Sequence, residues 1–150
     1  MLNMDHQAQH TDIILNQCNQ VFYVIKTHAN RLSAQKIERL TKEQNAVQID
    51  FLSKPSDRQI SLKMKRGDTC LVVHTQPAHY AGAVCLCEVV SASKEALVVR
   101  FVRYLKRVIT VAEIKQSSQV YNIKQCIVSL SELDFFKILE LENQQTRLGE

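Results

Sequence analysis

The stretch from Met64 to Val90 constrains the fold of this chain more than any other part of the sequence. Two apolar runs, 70–73 and 83–90, are each preceded by a glycine, and a polar connection containing His74 and His79 separates them. Glycine accepts turn angles that a Cβ forbids, and the β-branched residues of both runs favour extended structure. We therefore predict two strands joined by a polar loop. This arrangement places hydrogen-bonding side chains at the rim of a sheet, where we look for function.

Length and composition indicate one domain. The chain has 150 residues, 45% of them apolar and 23% charged, which is ordinary for a globular protein with a substantial core. We predict a domain over 21–142, an N-terminal extension over 1–20 rich in Gln, Asn and His, and a C-terminal tail over 143–150. No apolar stretch approaches the roughly 18 residues that span a bilayer, and no signal peptide is recognisable. We expect an intracellular protein, cytoplasmic or nuclear, with no membrane partner.

Further strands are predicted at 21–25, 96–104 and 126–129, where β-branched and aromatic residues cluster. The segment 41–54 is less regular and is predicted to be a loop with room for a short strand. Four helices are predicted where Ser or Thr has N-cap or capping-box spacing, and they begin near Ser33, Ser56, Thr110 and Ser131. The first should run to about Leu40 and the second over 57–64.

The order of these elements determines the fold class. Strands and short helices interleave without the strand–helix rhythm of a parallel doubly wound sheet. The pattern predicts an α+β domain built on a curved or barrel-like, mostly antiparallel sheet with short flanking helices.

The formal charge of +4 is a mild excess, and its distribution leaves two interpretations open. The basic residues could form one face around a site, or they could be scattered and solvated. Those that flank the central stretch are Lys54, Arg58, Lys63, Lys65 and Arg66 before it, and Arg100, Arg103, Lys106 and Arg107 after it.

Metal binding and catalysis are both disfavoured by spacing. His74, His79, Cys85 and Cys87 are the donors that zinc prefers, but their separations do not match usual zinc-ligand turns. Cys70 and His74 would be about 13 Å apart along a strand, too far for a thiol and its base. No nucleophile elbow, deaminase motif or glycine-rich phosphate loop is present. We expect no catalytic residues, no metal and no cofactor.

The cysteines are expected to be reduced. Five is an odd number, and all but the first lie in apolar, strand-like runs where a thiol packs as a small apolar group. Their positions are Cys18, Cys70, Cys85, Cys87 and Cys126.

Four segments, in order, resemble a known family. They are Phe-Tyr-Val-Ile-Lys at 22–26, Met-Lys-Arg-Gly-Asp at 64–68 with the following run to His74-Thr75, Ala-Gly and the strand at 81–90, and the basic segment at 100–115. Together they resemble the EVE domain of the PUA-like superfamily, in the group that includes thymocyte nuclear protein. Three features depart from the family pattern. Tyr23 stands where the family has tryptophan, the family's Trp-x-Gly-Val-Arg-Asn stretch has no counterpart in 45–56, and the second strand lacks the family's inner glycine.

The resemblance implies a PUA-like fold and a non-catalytic module that binds nucleic acid, either DNA or RNA. EVE domains are thought to hold a modified base in a pocket between the sheet and flanking loops. Lys26, His74 and Thr75 match motif positions and are predicted to line this pocket, and Tyr23 matches as an aromatic surface for stacking. The alternative for Tyr23 is a core tyrosine.

The same resemblance leads to a phosphate-binding prediction for Arg103, Lys106 and Arg107, with a solvated basic edge as the alternative. Because the family's tryptophan-containing stretch has no counterpart, a second function is also open. In that case the chain is an interaction or structural protein that keeps the fold without binding a base. The sequence leaves open the choice between DNA and RNA, the modification and the oligomeric state.

Overall fold

The structure is a computed structural model, and it describes residues 21–49, 54–75, 81–118 and 125–144. Four predictions lie wholly or partly outside these residues. They are the N-terminal extension 1–20 with Cys18, residues 50–53 of the segment 41–54, the loop containing His79, and most of the tail 143–150.

Within these ranges the chain forms six strands and four short helices, followed by a turn of 3-10 helix over Leu141–Asn143. The strands are β1 Phe22–Thr27, β2 Val47–Ile49, β3 Thr69–His74, β4 Gly82–Ala92, β5 Leu97–Thr110 and β6 Ile127–Leu130. The helices are α1 Ala34–Gln44, α2 Pro55–Lys63, α3 Val111–Ser117 and α4 Glu132–Glu140.

The strands form one curled, mixed sheet in the order β2-β5-β4-β3-β1-β6. β1 and β3 pair in parallel, with Thr27 opposite His74, and the other neighbouring strands pair antiparallel. The predicted α+β fold with a mostly antiparallel, barrel-like sheet is confirmed. The parallel pairing of β1 and β3 brings both carboxyl ends to the same edge of the sheet.

The first helix is capped as predicted but is longer. The Ser33 hydroxyl accepts a hydrogen bond from the Lys36 backbone N–H, and the helix continues past Leu40 to Gln44. It ends at Asn45, whose φ of 65° is a left-handed conformation that asparagine tolerates. β2 follows at once, so the irregular segment 41–54 contains the last turn of the helix and the short strand.

The predicted capping box at Ser56 is wrong. Helix α2 begins at Pro55, with Lys54 as its N-cap and no side-chain cap bond. Proline suits the first helical position because its fixed φ is already helical and its absent N–H needs no partner. Asp57 is buried and accepts hydrogen bonds from two backbone N–H groups that precede and begin β6.

The strand predicted over 96–104 is β5, and it extends six residues beyond Tyr104, to Thr110. Register shifts against β4 let this long strand curl, so that residues in its two halves pack into different cores. The predicted capping box at Thr110 is confirmed, because its hydroxyl accepts from the Glu113 N–H while the Glu113 carboxylate accepts from the Thr110 N–H.

Two apolar cores lie on opposite faces of the sheet. Tyr23 and Ile25 of β1 pack into the core that contains Ile37 of α1, which we call the α1 core. Phe22 and Val24, pointing the other way, join α3 and α4 in the α4 core, where the Phe22 ring stacks on Phe135 at 4.2 Å. No helix in the described ranges is long and apolar enough to cross a membrane.

Candidate functional site

A cavity of about 310 Å³ lies at the sheet edge where β1 and β3 end. Its wall includes Lys26, Thr27, Arg31, Lys54, Thr75 and Cys126. Backbone hydrogen bonds hold these side chains in place. The Thr75 N–H donates to the Thr27 carbonyl at 3.0 Å, and the Lys26 N–H donates to the Cys126 carbonyl at 2.7 Å. The cavity is therefore built on three adjacent strand ends.

Two of the four predicted base-pocket residues line this cavity, namely Lys26 and Thr75. The other two, Tyr23 and His74, are buried. Tyr23 is 3% exposed within the α1 core, and burial, with smaller effects of Asp68 and Cys70, raises its pKa to about 12. The structure therefore agrees with a core position for Tyr23, and its predicted stacking role stays a prediction.

His74 is 6% exposed, and its Nε2 lies 3.0 Å from the carbonyl oxygen of Leu32. Burial lowers the pKa of the imidazole, and the nearby His28 lowers it further, while the hydrogen bond to Leu32 acts in the opposite direction. The neutral ring that results donates to this carbonyl through Nε2. His74 thus ties β3 to the loop before α1, and its predicted contact with a base stays a prediction.

Lys26 is half-buried in a region rich in positive charge. Burial is the largest cause that lowers its pKa, and Lys115 and Lys54 act in the same direction. Cys126 and Asp57 partly oppose the change. An ammonium group in this setting gains from a nearby anion or hydrogen-bond acceptor.

Sequence reasoning missed Thr27, which is 5% exposed and lines the cavity. Its Oγ1 has no hydrogen-bond partner among the residues that the structure describes, and the same holds for Oδ2 of the buried Asp57. A threonine at the last position of β1, directly after Lys26, was the available signal for Thr27. Arg31, Lys54 and Cys126 are far apart in the sequence, and no local pattern connects them.

The three predicted phosphate contacts lie on β5, where the two arginines are engaged with carboxylates. Arg103 forms two hydrogen bonds to Glu142, at 3.0 and 2.7 Å. Arg107 forms a similar pair to Glu113, at 2.9 and 2.8 Å. Lys106 Nζ donates to Asn143 Oδ1 at 2.7 Å. These bonds join β5 to the C-terminal turn and to the start of α3.

The hydrogen bonds within these pairs shift the pKa values of both partners. Arg107 is the main cause that lowers the pKa of Glu113 to about 2, helped by hydrogen bonds from Thr110. Hydrogen bonding to Glu142 raises the pKa of Arg103. A phosphate would have to compete with these carboxylates for either guanidinium. Phosphate binding by Arg103, Lys106 and Arg107 stays a prediction.

Thiols and metal donors form no recognisable centre in the described ranges. Cys70, Cys85 and Cys87 are buried and unbridged, and Cys126 is a half-buried free thiol. No group of three or more His, Cys, Asp or Glu side chains in those ranges is placed to hold a metal ion.

The curled sheet, its parallel pair β1 and β3 and its short helices form an α+β domain with a PUA-like fold. The same fold occurs in the human THYN1 protein in complex with DNA containing 5-methylcytosine, with a TM-score of 0.72 and 18% identity, covering 85% of this chain and 100% of that chain. The DUF55 domain of human thymocyte nuclear protein 1 is also similar, with a TM-score of 0.67 and 17% identity over 83% of this chain and 99% of that chain.

A hypothetical protein from Leishmania major shares the fold as well, with a TM-score of 0.71 and 18% identity over 86% of this chain and 98% of that chain. No protein-family model matches the sequence. No curated protein sequence matches it. The resemblance to the EVE domain, which is the DUF55 domain, is confirmed at the level of the fold.

Proposed function

We propose that this chain is a non-catalytic nucleic-acid-binding module that holds a modified base in a pocket between its sheet and the flanking loops. The observation that supports this most directly is the cavity at the ends of β1 and β3, with Lys26 and Thr75 on its wall. It occurs on a fold shared with a protein whose structure was solved with 5-methylcytosine-containing DNA.

The cavity is suited to one nucleotide rather than a length of polymer. At about 310 Å³ it lies near the lower end of the range for small-ligand pockets, about 300 to 1,000 Å³. A base removed from its stack needs a flat surface and polar groups for its edge. His28 and Arg31 provide planar side chains on the wall, while Lys26 and Thr75 provide groups for the edge.

Tyr23 and His74 have a supporting role in this proposal. Tyr23 fills the α1 core behind β1, and His74 holds the loop from which Arg31 reaches the wall. Replacing either residue would therefore disturb the positions of Lys26 and Thr75. Direct contact of Tyr23 or His74 with a base would require the base to enter the core.

The experiment is a binding panel of matched oligonucleotides, DNA and RNA, that carry plain and modified cytosine or adenine. We expect preference for one modified base. Lys26→Gln and Thr75→Val should each reduce that preference several-fold, since a lost hydrogen bond costs roughly 1 kcal/mol. Lys63→Gln, at the far end of α2, is the matched charge control and should bind like the parent. Equal affinity of the parent for every base would contradict base recognition.

A second function is favoured by a specific observation. Tyr23 and His74 are packed inside the protein, and the tryptophan-containing stretch of the family has no counterpart in this sequence. A domain that keeps the fold but binds a protein partner would show these features. In the same panel, this function predicts no measurable affinity for any oligonucleotide at physiological salt.

A further inference from the structure

Two large apolar side chains of α4 are exposed on the surface of the protein. Leu133 is 77% exposed and Phe136 is 50% exposed, and because they are three residues apart they are neighbours on one side of the helix. Phe135 and Ile138 of the same helix are buried in the α4 core. We call Leu133 and Phe136 the α4 patch. Exposed apolar residues on a helix that already buries another face indicate a docking surface.

The α4 patch lies where the chain enters the sheet. The Phe136 ring is in edge contact with the ring of Phe22, at a centroid distance of 5.5 Å. Phe22 is the first residue of β1 and pairs with Leu130, the last residue of β6, and α4 follows at Glu132. The chain that immediately precedes β1 therefore leaves the sheet beside the patch.

The sequence before β1 contains a short run of consecutive apolar residues. Residues 1–20 are rich in Gln, Asn and His, and residues 13–15 among them are Ile-Ile-Leu, which we call the apolar run. The run ends six residues before Val21. A connection of this length spans at most about 20 Å when extended, which is ample to reach the patch.

A short connection favours the chain's own segment as the occupant of the patch. A segment tethered beside its site by a short linker has an effective concentration there in the range of about 1 mM or more. Docking within the chain therefore needs only a modest affinity, which apolar contacts between the run and the patch can supply. A separate partner with the same side chains would have to reach that concentration in solution.

We propose that the apolar run, residues 13–15, docks onto the α4 patch and covers Leu133 and Phe136. The run then shields an apolar surface that would otherwise be open to a second copy of the chain. The patch lies at the start of β1, whereas Lys26 and Thr27 border the cavity at the other end of this strand. The docking therefore does not use the cavity and is independent of the proposed function.

A tryptophan introduced into the patch tests the docking, because the chain has no tryptophan of its own. In Phe136→Trp, the indole should be shielded from the quencher acrylamide. Adding Ile13→Ser, Ile14→Ser and Leu15→Ser together should raise the quenching constant about twofold and shift the emission to the red. This size is expected because a run at millimolar effective concentration covers the patch for about half of the time or more.

Two controls separate docking from general effects of the substitutions. The pair Leu2→Ser and Met4→Ser removes apolar side chains from the same extension outside the run, and should leave the quenching unchanged. Leu62→Trp places the reporter on α2 at a side chain that is 57% exposed, and its quenching should not depend on the run. Leu133→Trp provides a second reporter in the patch and replaces Phe136→Trp if that variant does not fold.

A synthetic peptide of residues 8–20 tests the same contact between separate molecules. Added to the reporter variant with the three serines, it should restore the shielding at about millimolar concentration, and a peptide that carries the three serines should not. Equal quenching with and without the apolar run would overturn the proposal. So would shielding that persists in the serine variant and increases with protein concentration, because the occupant would then be a second copy of the chain.

Discussion

At the scale of single residues, Asp57 is a fully buried carboxyl group that joins two distant parts of the chain. It is 0% exposed, and its Oδ1 accepts hydrogen bonds from the N–H groups of Cys126 and Ile127, at 3.0 and 3.1 Å. These bonds join the first turn of α2 to the start of β6, 69 and 70 residues away in the sequence. Asp57 thus holds in place the strand end that carries Cys126, one wall of the cavity.

We predict that Asp57→Ala lowers the free energy of unfolding by about 2 to 4 kcal/mol, because it leaves two N–H groups without their acceptor. Urea denaturation measures this. The matched control is Asp134→Ala on α4, where the half-buried carboxylate accepts from the Ser118 hydroxyl, at an expected cost of about 1 kcal/mol. Equal losses of unfolding free energy in the two variants would show that the buried hydrogen bonds of Asp57 stabilise the protein no more than the bond of Asp134 does.

The ion pair of Arg107 and Glu113 should make stability depend on pH. The two side chains are only 16% and 11% exposed, and the pKa of Glu113 falls from 4.5 to about 2. A carboxyl whose pKa is lower in the folded state contributes stability that is complete above its unfolded pKa. That contribution is lost as the pH falls from about 4.5 through about 2.

Arg107→Gln should therefore lower the unfolding free energy by about 2 kcal/mol at pH 7. The difference from the parent should shrink as the pH falls from about 4.5 and approach zero below pH 2, where Glu113 is protonated in both proteins. Arg39→Gln is the control, because its pair with Glu43 is 59% and 52% exposed and contributes less than about 0.5 kcal/mol. A pH-independent difference between parent and Arg107→Gln would point to lost packing instead of lost charge pairing.

At the scale of elements, the start of β4 depends on glycine. Gly82 has a φ of +155° and lies opposite His74 on one side and Thr110 on the other. A Cβ at this position would collide with the Ile109 carbonyl oxygen and approach Val108 Cγ1 to 2.7 Å. β4 can enter the sheet between β3 and β5 only because this residue has no side chain.

Gly82→Ala should cost about 3 kcal/mol or more, since the backbone of β5 would have to move. Gly67→Ala is the matched control. Its φ of +95° is also unfavourable for alanine, but the space around it is open, so the expected cost is about 1 to 2 kcal/mol. Thermal unfolding of both variants measures the difference. A smaller loss of stability in Gly82→Ala than in Gly67→Ala would mean that the β5 backbone at Ile109 moves at little energetic cost.

At the scale of the whole molecule, the cysteines report on opening of the protein. Cys70, Cys85 and Cys87 lie together in the α1 core, each 0% exposed. Burial raises the pKa of the Cys70 thiol, and a hydrogen bond with Cys85 and then burial raise that of Cys87. Cys126 is half-buried beside the cavity.

In a Cys18→Ser background, we expect Cys126 to react with a thiol reagent before the other three. The core cysteines should react together, at a rate set by global unfolding, because the thiolate is the reactive form and each is enclosed. Mass spectrometry of the labelled protein resolves the sites. Early reaction of Cys70 by itself would indicate local opening of β3, and stoichiometric zinc in the purified protein would contradict free thiols.

The sequence by itself determined the features that depend on neighbours along the chain. Turn glycines, β-branched runs and capping residues located five of the strands and the N-caps of α1, α3 and α4, because these signals act within a few residues. The family resemblance added the fold. The capping box predicted at Ser56 was wrong because the helix begins one residue earlier, at Pro55, which places Ser56 inside its first turn.

Only the tertiary structure decided which residues form the site. Tyr23 is in the core because of the face of β1 on which it lies, and Arg103 is paired because the C-terminal turn brings Glu142 to β5, 39 residues later. The cavity wall combines Thr27 with Cys126 through the pairing of β1 and β6. Such contacts depend on strand register and on the curl of the sheet, which no short stretch of sequence specifies.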